Sequence, residues 1–221
     1  MSEIKNTATI KQVEMSPRAA DARTGDYELR LYNEPLFTFT LEEKGIEGLT
    51  AYITKVNNEN DRIFPLDMPL TNEGVLKWIH RRVIPKNRTF VDEILKSLGL
   101  SVGNTKGIID ICKGLSLNDS YWVVPIGFQG SYKQYNLYEN RFSEILSLVA
   151  YTGQGTSQKA FTTSPELTTN GMLPKAWRFI EHEGIYLYKG GSSGAANTGN
   201  EPYSEFYACQ VAEAMGIKTV R

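Results

Sequence analysis

The sequence predicts an α+β protein, with an N-terminal mixed α/β domain followed by a β-hairpin, a glycine-rich loop and a helix. Three observations carry that class. Apolar residues alternate with period two from Tyr27, they recur at helical spacing between Thr71 and Ala150, and the alternation returns after Lys175 ahead of a last helical block from Pro202.

In chain order, residues 1–25 are polar, mixed in charge and without either period, and read as a flexible arm. Tyr27, Leu29 and Leu31, then Leu36, Thr38 and Thr40, share a face across a turn at Asn33-Glu34-Pro35, which makes a hairpin; a further strand follows near Leu49 to Thr54. Thr71 is a hydroxyl N-cap for a helix from Asn72 to Val83, with Val75, Ile79 and Val83 on one face and Pro85 as its stop. Thr89 and Asp92 open a second helix, with Phe90, Ile94 and Leu98 aligned and Gly99 closing it. Asn104 or Thr105 opens a third, ending at Gly114. Tyr121 to Ile126 reads as a buried strand, and Arg141 to Ala150 as a fourth helix through Phe142, Ile145, Leu146 and Val149.

The run from Thr152 to Thr169, rich in Gly, Thr, Ser and Gln, marks a boundary. The expected division is an arm over 1–25, an α+β domain over 26–151, a linker over 152–169 and a C-terminal segment over 170–221. In that segment Lys175, Trp177 and Phe179 share one side of a strand, Glu181 to Gly184 turns, and Ile185 to Lys189 returns. A glycine-rich loop from Gly190 to Asn200 leads to a helix from Pro202 to Met215, which has Ala208, Val211, Ala212 and Met215 on one stripe and Gly216 just past its end.

Composition excludes several classes. With 24 Lys+Arg against 25 Asp+Glu in 221 residues, no global charge draws the chain to nucleic acid or anionic lipid. Cys112 and Cys209, with two distant histidines, make neither a disulfide framework nor a closed zinc site. No apolar run approaches the roughly 20 residues of a membrane span, and no export signal precedes the first strand, so the reading is a cytoplasmic protein with no membrane partner. Gly190-Gly191-Ser192-Ser193-Gly194 fits a nucleophile-elbow spacing but lacks the strand–elbow–helix context and a His partner.

The polar residues of the last third carry the chemistry. Lys189 ends a strand in register with Ile185 and Leu187, which places its ammonium on the apolar side and calls for a counter-charge. Glu205, at the edge of the following helix's apolar stripe, supplies one. A strand lysine held by a helix glutamate is how protein kinases grip the α- and β-phosphates of ATP; the same spacing also fits an ordinary strand–helix ion pair. Upstream, Thr168-Thr169-Asn170-Gly171 ahead of Lys175 is a hydroxyl-rich glycine turn of the kind that offers backbone N–H groups to phosphate.

Ser164 through Gly171, Lys175-Ala176-Trp177, Tyr188-Lys189-Gly190-Gly191, Ser204-Glu205-Phe206-Tyr207-Ala208 and Ala212 to Ile217 together resemble the N-lobe of HipA-like serine/threonine kinases of toxin–antitoxin systems and mobile elements. Leu115 to Trp122, with Asn136 and Phe142-Ser143, is similar to the N-terminal region of a HipA-like branch common in Firmicutes and their phages. The resemblance implies ATP with Mg2+ as cofactor, with Thr168, Thr169, Asn170, Gly171 and Lys175 at the phosphate loop, Lys189 as the ATP lysine and Glu205 as its partner. It implies a protein hydroxyl as the substrate of the full kinase, and an antitoxin or a catalytic partner chain as company. His-x-Asp and Asp-Phe-Gly sequences are absent from these 221 residues. The expectation is therefore an N-terminal portion of a kinase without its catalytic C-lobe, inactive by itself, or else a non-catalytic binding or regulatory module. Lys77, Arg81, Arg82, Lys86 and Arg88 form an acid-free basic cluster, read as cations at a helix C-terminus or as a contact for nucleic acid or an acidic partner.

Overall fold

A computed structural model describes residues 24–44, 48–57, 60–155, 163–193 and 199–219. The expected arm lies almost wholly outside them, as do parts of the 152–169 stretch and of the glycine-rich loop. The fold is α+β: among the described residues a four-stranded antiparallel sheet and a separate two-stranded hairpin are joined by six helices.

The first hairpin pairs β1 (Thr24–Leu31) with β2 (Glu34–Glu43), and β3 (Leu49–Val56) and β4 (Tyr121–Pro125) complete the order β3-β2-β1-β4. The turn is Tyr32-Asn33, with Tyr32 at φ 52°, and not the expected Asn33 to Pro35. A register shift between Leu29 and Arg30 inserts an extra residue opposite them. Leu36 and Phe37 are both buried as a result, and the parity beyond them is inverted: Phe39 and Leu41 enter the core while Thr38 and Thr40 stay half-buried. A one-residue slip turns every later side chain to the other face.

Helix α1 (Asn72–Arg81) lies across the inner face of the sheet on Val75, Trp78 and Ile79. Its N-cap is Thr71, whose hydroxyl accepts the Gly74 amide at 3.0 Å. Thr71→Ala is expected to cost about 1 kcal/mol, read as a lower urea midpoint at unchanged slope. Helix α2 (Val91–Lys96) starts later than Thr89, because Phe90 takes a left-handed cap at φ 63°. Helix α3 (Thr105–Cys112) is capped by Asn104, whose side chain accepts from Gly107. A short α4 (Tyr132–Tyr135), with its Ser131/Gln134 capping box, has no counterpart among the expected elements; α5 (Glu144–Thr152) opens at Ser143.

Two apolar clusters result. The larger joins Tyr27, Leu29, Phe37, Phe39 and Leu41 of the sheet to α1, α2 and α3. The smaller gathers Leu115, Trp122, Val124, Tyr132, Leu137 and Phe142, and Trp177, Phe179 and Ile185 pack against it from the second hairpin, β5 (Lys175–Ile180) with β6 (Gly184–Lys189). The stretch expected as a linker ends in a buried 3-10 turn, Pro165–Leu167, and β5 lies against α5. The last helix, α6 (Glu201–Ala214), follows the glycine-rich loop. No helix among the described residues is long and apolar enough to cross a membrane.

Candidate functional site

The residues singled out in the last third converge at one end of the β5–β6 hairpin. Lys175 and Lys189 are direct cross-strand partners. Like charges placed opposite each other repel, and α6 supplies the offset: the Lys189 ammonium donates to Glu205 Oε2 at 2.6 Å. The expected burial of this pair is not observed. The two side chains are 45% and 55% exposed: Lys189 ends β6 and is open to water although it shares the parity of the half-buried Ile185 and Leu187. A pair so open to water adds little to stability, so its value lies in where it holds the ammonium.

The turn leading into β5 is drawn inward by its carbonyls. Arg88 donates to Thr169 O at 3.2 Å and to Lys175 O at 2.7 Å. The Lys175 ammonium donates to Asn170 O at 2.9 Å. The Thr89 amide donates to Met172 O and the Gly190 amide to Pro174 O, each at 2.8 Å. Asn170, Gly171 and Met172 are exposed, and among the described residues their amides donate to no acceptor. A turn with its carbonyls engaged and successive amides unspent is suited to an anion. Gly171 sits at φ 97°, a backbone that favours glycine, and a Cβ there would lie 2.3 Å from the Lys175 ammonium, so a larger residue would displace the tip of that lysine. Burial pushes the Lys175 pKa down, helped by Arg88 and Lys189 and opposed by Glu205.

Thr168 and Thr169 are placed differently from the expectation. Thr168 is buried and its hydroxyl donates to Leu115 O at 2.7 Å. The Thr169 hydroxyl donates to Pro165 O and accepts the Trp177 indole N–H at 2.7 Å. Both hydroxyls are spent on holding the turn, which leaves Asn170, Gly171, Lys175, Lys189 and Glu205 as the accessible members.

Behind the turn stands a group that the sequence reading did not assign. The Arg88 and Glu166 side chains are fully buried, with Nη2 3.5 Å from Oε2. Glu166 Oε1 accepts the Trp177 amide at 2.8 Å and the Ser147 hydroxyl at 3.1 Å. Burial pushes the Glu166 carboxyl up, against the Trp177 amide, Arg88 and Ser147. The local signal was a carboxylate between Pro165 and Leu167, in a run otherwise suited to burial.

The basic cluster does not form one surface. Arg88 is in this network, and Arg82 is buried over the Trp78 ring at 4.3 Å and paired with Asp119. Arg81 pairs with Asp67 at 2.7 Å. Lys77, Arg81 and Lys86 remain exposed.

Helix α6 buries none of its residues. Its expected stripe is overturned, since Val211 and Met215 are 60% and 70% exposed, alongside Tyr203, Phe206 and Tyr207. Among the described residues no group of three or more His, Cys, Asp or Glu gathers as metal ligands. No protein-family model matches the chain, and no curated protein and no solved structure matches it either.

Proposed function

We propose that this chain is the N-terminal portion of a HipA-like serine/threonine protein kinase and carries part of its ATP-binding lobe. The observation that supports it most directly is the Lys189–Glu205 pair at 2.6 Å, beside the Asn170–Met172 turn whose amides are unspent. In this reading the turn and Lys175 receive the nucleotide phosphates, Lys189 contacts the α- and β-phosphates, and Glu205 fixes the lysine. Magnesium would come with the nucleotide and would neutralise phosphate charge, since among the described residues no cluster of carboxylates gathers to hold it. Binding and orientation of ATP are what these residues can do; the base and the metal-holding carboxylates belong to a catalytic lobe, and the substrate is a protein hydroxyl. The uncovered apolar side of α6 supports a seat for that lobe or for a separate catalytic chain. That same face is what favours the second reading, a non-catalytic regulatory module docking a partner.

Calorimetry with magnesium–ATP tests the first reading. The chain is expected to bind, and at a nucleotide concentration of about 100 times Kd to gain about 2.7 kcal/mol of stability. Lys189→Ala is expected to weaken binding at least tenfold with little change in melting temperature of the free chain, since its ion pair is solvent-exposed. Absence of heat with the unsubstituted chain, or equal affinity in Lys189→Ala, rejects the nucleotide site and leaves the docking module.

A further inference from the structure

We infer that Arg88 is the positioning residue of this site, tying both ends of the Thr169–Lys175 turn so that the Asn170–Met172 amides stay open to phosphate; this rests on the nucleotide reading above. Arg88 belongs to the segment between α1 and α2, far from the turn in sequence, yet its guanidinium reaches three main-chain oxygens. Nη1 donates to Glu166 O at 3.1 Å and to Thr169 O at 3.2 Å, and Nη2 donates to Lys175 O at 2.7 Å. Thr169 and Lys175 are the two stems of the turn, so one rigid fork sets the distance across its mouth. The neighbouring Thr89 amide holds the middle through Met172 O. One short segment thereby grips the turn at three places.

The chemistry calls for arginine. A guanidinium presents its donors in a fixed plane, whereas an ammonium is a point charge on a flexible stem that cannot hold three carbonyls in fixed relation. Glu166 fixes the guanidinium's place: its carboxylate is anchored by the Trp177 amide and by Ser147 of α5. The pair is long at 3.5 Å, and Arg88 Nε has no partner among the described residues. Well-packed apolar residues commonly equal or exceed such a buried pair in stability, so net stabilisation is a poor account of it. Holding the carbonyls inward is the account that uses every bond it makes.

Arg88→Lys in the full chain is the test, because it keeps the charge and removes the fork. Two readouts are taken: hydrogen exchange of the amides that hold the turn, Thr89 to Met172 O, Gly190 to Pro174 O and Thr168 to Pro165 O, with α1 and β1 as internal references, and magnesium–ATP affinity. The expected result is at least tenfold faster exchange of those turn-holding amides, unchanged exchange in the references, and at least tenfold weaker nucleotide binding. Unchanged turn exchange overturns the inference, as does an increase shared equally by the references, which would make Arg88 a general core residue. Unchanged affinity with loosened turn also overturns it. Should Arg88→Lys fail to fold, the neutral pair Arg88→Met with Glu166→Gln keeps the volume and is judged by the same readouts. If the unsubstituted chain binds no nucleotide, the proposed function falls, and the exchange measurement alone still decides whether Arg88 clamps the turn.

Discussion

Glu166→Ala is expected to lower the unfolding free energy by about 3–5 kcal/mol, the cost of stranding a buried charge. The Arg88 side chain is fully buried, and Glu166 is the acid paired with it. Its removal also deprives the Trp177 amide of its acceptor, and a buried donor left unpaired adds to the loss, whereas the Ser147 hydroxyl keeps Trp177 O. For a chain of 221 residues that is a fall in melting temperature of roughly 6–20 °C. Glu166→Gln retains an acceptor oxygen and is expected to lose less. It should also remove a pH dependence. Burial raises the Glu166 pKa in the folded state, so between the ordinary carboxylate range and that raised value the native protein holds the extra proton. Stability therefore declines as pH rises through that window, and the Gln variant should show a flatter profile there. Melting temperatures of the three proteins measured across acidic to neutral pH check both parts. A Glu166→Ala protein as stable as the original would mean that Arg88 finds another partner or water, and the buried-pair account would be wrong.

The features legible in the sequence were those encoded within a few residues. Thr71 and Asn104 cap helices because a short side chain reaches an amide three residues on, and that spacing is written in the chain. The antiparallel hairpins followed from period-two patterning, the buried β4 from its apolar run, and Lys189 with Glu205 from the order strand, loop, helix. What stayed hidden depends on contacts across the chain. The Arg88–Glu166 bond spans 78 positions, so a basic run that looks like a surface patch divides in space into a clamp at Arg88, a stacked Arg82 and three exposed cations. Parity along β2 was misjudged because a register shift leaves no compositional mark. The apolar side of α6 looks like any packing stripe in sequence, since periodicity reports that a helix has an apolar face and is silent on what lies against it.

Trp122→Ala should rival Glu166→Ala in size and differ in where its damage spreads. The indole is fully buried in β4, its ring meets Phe128, Tyr132 and Tyr135 at centroid distances of 5.9, 5.8 and 6.0 Å, and its N–H donates to Tyr32 O in the first hairpin turn. Truncating so large a side chain in a packed aromatic cluster costs about 3–5 kcal/mol, the lost transfer energy plus the void left behind. The second hairpin rests on the same cluster through Trp177, Phe179 and Ile185. Among the described residues its two strands have no further strand beside them, and an isolated hairpin is marginal without a packed face. Amide exchange in β5 and β6 should therefore rise more than in β1 and β2, which keep the larger core, and Lys175 and Lys189 should lose their fixed separation as their strands loosen. Nucleotide affinity would fall with them although Trp122 is not one of the proposed contacts. Trp122→Phe, which refills most of the void, should recover the exchange protection and the affinity together. Unchanged β5–β6 exchange in Trp122→Ala would show that the hairpin is held by the Arg88 bonds and not by this cluster.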